Sequence, residues 1–113
     1  MLEKFLQEQA EIIALDFVPV KIDLSEMENG PQVAGRLRRD RTGGIPWMVI
    51  LDPDGKELIS SDGPEGNCGY PLLPQEIDHF LNMLRSTSTR TTDVQLAKLK
   101  QALNDYRQQR EEP

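Results

Sequence analysis

The chain has 113 residues, a formal net charge of −6, and 37% hydrophobic and 28% charged residues. This is the length of one domain with a modest core, and its acidic balance argues against nucleic acid or an anionic membrane as partner, since both need clustered Lys and Arg. A single cysteine, Cys68, excludes an intrachain disulfide, and a single histidine, His79, cannot build a zinc site.

Residues 2–15 carry Leu2, Phe5, Leu6, Ala10 and Ile13 at helical spacing. No capping residue precedes Leu2, so this helix is expected to begin upstream. The mix of Glu3, Lys4, Gln7, Glu8 and Gln9 with apolar positions is not a signal peptide. Residues 17–24, FVPVKIDL, read as a strand in which Val18, Val20 and Ile22 alternate with Phe17, Pro19 and Lys21. Pro19 lacks an N–H, which places the strand at an edge or at a bulge. Gly30-Pro31 opens a short helix with Val33, Ala34 and Leu37 as its stripe.

Residues 46–51, PWMVIL, form an apolar run expected of a buried strand. DPDG at 52–55 is a tight turn, and residues 56–60 return antiparallel. Residues 62–73 are a long loop rich in Gly and Pro. Pro74 starts a helix whose stripe is Ile77, Phe80, Leu81 and Leu84. After a polar linker at 86–91, Thr92 and Gln95 fit a capping box. The last helix runs to about residue 108 with Leu96, Leu99, Leu103 and Tyr106 on one side. The organisation is a domain at 1–85, the linker, and a C-terminal helix and tail at 92–113.

Five features bear on chemistry. Arg36, Arg38, Arg39 and Arg41 form one basic cluster, read as a solvated helix end because no aromatic partner is near in sequence. Cys68 lies between Asn67 and Gly69 with no Lys or Arg nearby to lower its pKa. It is read as an unreactive thiol, with a reactive one as the alternative. His79 is read as a solvated position on its helix. Trp47 is read as core, with stacking on a substrate as the alternative. Asp52 and Asp54 belong to a turn, since a calcium loop needs further carboxylates at fixed spacing.

The order helix, strand, helix, strand, turn, strand, helix, with FVPVKID, GGIPWMVILDPDGKEL and EIDHFLNML as they stand, resembles the thioredoxin family over residues 2–84. GGIPW, SDGPEGN and the GYP after Cys68 look like a bacterial thioredoxin-like subgroup with an added C-terminal helix. The resemblance implies an α/β, thioredoxin-like fold, incomplete because its first strand is absent, and thiol–disulfide exchange with protein substrates. It also implies a cis Ile45–Pro46 bond and an extended protein or peptide segment lying against Ile45, Pro46 and Trp47, with no cofactor.

The family places its first strand and a Cys-x-x-Cys pair just before the position of MLEKFL. Both are expected upstream of Met1, through a truncated chain or a start codon assigned too late. The chain by itself is expected to be redox-inactive, because a dithiol needs both a lowered-pKa thiolate and a resolving partner. One alternative is a non-catalytic thioredoxin-fold module that binds or scaffolds proteins. Another is a peroxide or single-thiol enzyme using Cys68.

The missing first strand would lie between FVPVKID and PWMVIL. Without it, PWMVIL shows an apolar edge with unpaired backbone groups. Two outcomes are expected: the two strands close up and pair, or a second copy covers the edge. The C-terminal helix is the candidate cover.

Overall fold

A computed structural model describes residues 2–22, 24–25, 27–39, 44, 46–64 and 66–111. The chain is mixed α/β. Its elements are α1 Leu2–Glu8, α2 Ala10–Ile13, α3 Gly30–Arg38, β1 Val49–Leu51, β2 Glu57–Ser60, β3 Asp62–Gly63, β4 Gly66–Asn67, α4 Pro74–Thr87 and α5 Asp93–Glu111. β1 pairs antiparallel with β2, and β3 with β4, in two separate two-stranded sheets.

The core is mostly helical. α4 buries Ile77, Phe80, Leu81, Met83 and Leu84, the expected stripe with Met83 added. α5 buries Leu96, Leu99 and Leu103 in the same cluster, together with Phe5 of α1 and Ile13 of α2. The Phe5 and Phe80 rings meet edge to face at 6.0 Å, a geometry that aromatic quadrupoles favour. Tyr70 and Tyr106 pack with centroids 5.1 Å apart. α5 is therefore part of the core, packed on α4 and not over a sheet edge.

Both long helices are capped at their N-termini. Glu76 Oε1 accepts the Leu73 N–H at 2.9 Å ahead of Pro74, whose missing N–H costs nothing at a helix start. Thr92 and Gln95 make the reciprocal box: Gln95 Oε1 accepts the Thr92 N–H at 2.9 Å, and Thr92 Oγ1 accepts the Gln95 N–H at 3.2 Å.

The expected helix at 2–15 divides into α1 and α2 at Gln9, which sits at φ −103° and ψ 21°. The expected strand at 17–24 is not formed among its described residues. Val18 is 88% exposed and Val20 76%, and no strand pairs with this segment. A strand holds only where a neighbour takes its N–H and C=O groups. The two segments expected to close up on one another therefore do not. β1 is also shorter than the apolar run that contains it, and Leu51 is exposed. Met48 and Ile50 turn to the core, while Leu51, past a register irregularity between Ile50 and Leu51, is exposed.

The hairpin turn is the expected DPDG. Asp52 Oδ1 accepts the N–H groups of Asp54 at 2.9 Å and Lys56 at 2.8 Å. Gly55 takes φ +88°, where a side chain would be strained.

The polar segment at 86–91 is ordered at both ends. Ser86 and Thr87 belong to α4, and Asp16 holds the remainder. Its Oδ1 accepts the N–H and Oγ1–H of Thr89, each at 3.0 Å, and its Oδ2 accepts the N–H of Thr91 at 2.8 Å and its Oγ1–H at 2.6 Å. The Arg90 N–H reaches both oxygens at 3.0 Å. Burial pushes this carboxyl up, but the hydrogen bonds from the Thr91 side chain and from the backbone of Thr89, Thr91 and Arg90 outweigh it and hold the group well below the usual carboxylate range.

A carboxylate with a lowered folded-state pKa contributes stability that is complete above its unfolded pKa of about 4 and is lost as pH falls below that value. Asp16→Asn is therefore expected to lower stability by about 1–2 kcal/mol at pH 7, the scale of a helix cap. The gap to wild type should narrow between pH 4 and pH 3 in thermal melts. A gap constant across that range would refute the clamp.

Candidate functional site

The loop that leads into β1 is held from the side by a second loop. Asn67, at the end of β4, donates from Nδ2 to the carbonyl of Gly44 at 2.9 Å and to that of Pro46 at 3.0 Å. Its Oδ1 accepts from Ser61 Oγ at 2.7 Å and from the Gly69 N–H at 3.1 Å. Ser61 is fully buried and pairs with Met48 in both directions: its Oγ accepts the Met48 N–H at 2.9 Å and its N–H donates to the Met48 carbonyl at 2.8 Å. A buried hydroxyl that both donates and accepts fixes the backbone around it. Gly69, at φ +55°, lies against Pro46.

Trp47 is half-buried and polar at its rim. Its Nε1–H donates to Asp62 Oδ2 at 2.9 Å, and the Arg38 guanidinium lies 5.1 Å from the ring centroid, within cation–π range. Arg38 also donates to the Gly44 carbonyl at 3.3 Å. The expected core role of Trp47 is thus replaced by a braced surface position. The basic cluster, expected to lack an aromatic neighbour, has one through the tertiary fold. Arg36 and Arg38 lie in the last turn of α3 and Arg39 caps it, while Arg41 lies outside the described residues.

Of the other expected site residues, Pro46 is exposed and Ile45 lies outside the described residues, and with Ile45 the expected cis bond. Cys68 is 3% exposed. Burial pushes its thiol up to about 11, helped by the carboxylates of Glu76 and Asp62. His79, expected to be solvated, is half-buried, with Nε2 2.9 Å from the Ser60 carbonyl; a carbonyl can only accept, so Nε2 carries the proton. A Cβ at Gly63 would stand about 3.0 Å from the His79 ring, so a side chain there would require the ring to give by a few tenths of an ångström. Gly63, Asn67, Cys68, Glu76 and His79 line a shallow cleft beside the loop.

The structure brings together Pro46, Trp47 and the Cys68 loop. The groups that do this, Asn67, Ser61, Asp62 and Arg38, carry no periodicity or motif of their own. Three of them, Ser61, Asp62 and Asn67, lie in SDGPEGN.

Among the described residues no group of three or more His, Cys, Asp or Glu could hold a metal ion, and no helix is long and apolar enough to cross a membrane. No protein-family model, curated protein or solved structure matches the chain.

Proposed function

We propose that the chain is a thioredoxin-like protein whose complete form exchanges thiols and disulfides with protein substrates, an extended substrate segment lying against Pro46 and Trp47. The observation that carries this reading is the braced loop at the mouth of the β1–β2 hairpin. Pro46 is exposed there, while the carbonyls of Gly44 and Pro46 are taken up by Asn67. A pre-organised backbone loop beside a tryptophan suits an extended polypeptide, because little ordering entropy remains to be lost on binding.

A second reading is a non-catalytic protein-binding module of the same fold. It is favoured by the burial of the single thiol. The codons upstream of Met1 separate the two. An in-frame Cys-x-x-Cys shortly upstream supports the oxidoreductase; a stop codon close upstream supports the module and overturns the first reading.

Assembly belongs to the same proposal. Among the described residues β1 pairs with β2 alone, and Leu51 and Leu58 of that hairpin are exposed. A free strand edge with apolar neighbours favours pairing with another chain. Light scattering across a dilution series is expected to give a mass that rises with concentration. A constant monomer mass from micromolar to millimolar concentration would refute self-association.

A further inference from the structure

Asn67 stands out because its amide has nothing left to give. Both Nδ2 donors and both Oδ1 lone pairs are used, on Gly44, Pro46, Ser61 and Gly69. Its partners belong to three separate stretches of chain, so it decides where the loop sits relative to the end of β2 and the Cys68 loop. Ser61, fully buried, continues the brace to the Met48 N–H. Trp47 lies between these anchors, with its own Nε1–H fixed on Asp62.

We infer that Asn67 is a positioning residue for protein substrate. It acts through the backbone of Gly44 and Pro46, and holds Pro46 and Trp47 as a ledge for an extended polypeptide segment. The inference rests on the protein-substrate reading above. It predicts that the two Nδ2 donors, more than the volume of the side chain, set affinity. A carboxylate of the same shape offers acceptors only and would face two carbonyls. A protonated carboxyl regains one donor.

Trp47 is the single tryptophan of the chain, so its fluorescence reports on the ledge directly. The probe is reduced, S-carboxymethylated insulin B chain, an unfolded polypeptide with no disulfide. Wild type is expected to show a saturable change in Trp47 emission. Asn67→Asp should bind about tenfold more weakly at pH 7, the scale of two lost hydrogen bonds, and should recover part of that loss at pH 5. Asn67→Ala should be weak at both pH values, and it carries the comparison if Asn67→Asp does not melt cooperatively. Melts of each variant at both pH values separate this from loss of fold: weak binding by a variant that is fully folded at the assay temperature reports on the loop and not on stability. Equal binding by wild type and the folded variants would overturn the role of Asn67 alone. No saturable change with wild type would overturn the protein-substrate reading itself.

Discussion

Mixed with insulin and dithiothreitol, the protein is expected to leave disulfide reduction at its uncatalysed rate. Exchange proceeds by attack of a thiolate on a disulfide, followed by a resolving thiol. The chain has one cysteine, so any mixed disulfide it formed would have no partner thiol within the chain. Cys68 is also poorly placed to attack. It is 3% exposed, and its thiol is pushed up to about 11, first by burial and then by Glu76. At pH 7 that leaves about one thiolate in ten thousand, against a few per cent for a free cysteine. The loss of reactivity is thus at least a hundredfold before access is considered. Cys68→Ser is expected to change nothing in the assay. Turnover abolished by Cys68→Ser would establish a single-thiol enzyme, and turnover that survived it would point to chemistry outside this cysteine.

Leu99→Ala is expected to remove much of the protein's stability. Leu99 and Leu103 are both 0% exposed, on the face of α5 that meets α4. Truncating a fully buried leucine costs about 2–5 kcal/mol, in lost transfer energy plus the cavity left behind. A domain of this size has only about 5–15 kcal/mol to lose. The melting temperature should fall by roughly 10–30 °C, and Leu103→Ala should behave alike. Val94→Ala, five residues earlier on the same helix but 68% exposed, should stay within about 0.5 kcal/mol. Denaturant titrations of the three variants check the contrast. A loss below about 1 kcal/mol for Leu99→Ala would mean that α5 is a detachable extension.

The sequence by itself determined the features in which neighbours along the chain decide the outcome. The 3.6-residue spacing of Ile77, Phe80, Leu81 and Leu84, and of Leu96, Leu99 and Leu103, placed both long helices and the faces they bury. The reciprocal box of Thr92 and Gln95 and the DPDG turn depend on atoms two to four residues apart. A helix satisfies its own backbone, so its pattern is enough to announce it.

A strand does not. The alternation in residues 17–22 is that of a strand, yet Val18 and Val20 stand in solvent, because a strand exists only when a distant segment completes its hydrogen bonds. The tertiary structure likewise decided that Asp16 caps Thr89, Arg90 and Thr91, more than seventy residues away. It set Arg38 on Trp47 and turned His79 from solvent towards the Ser60 carbonyl. The GGIPW loop was legible as a candidate site from its residues. Its brace was not, since Asn67 reaches Gly44 and Pro46 across more than twenty residues, and a single amide side chain shows no period that could reveal which carbonyls it will find.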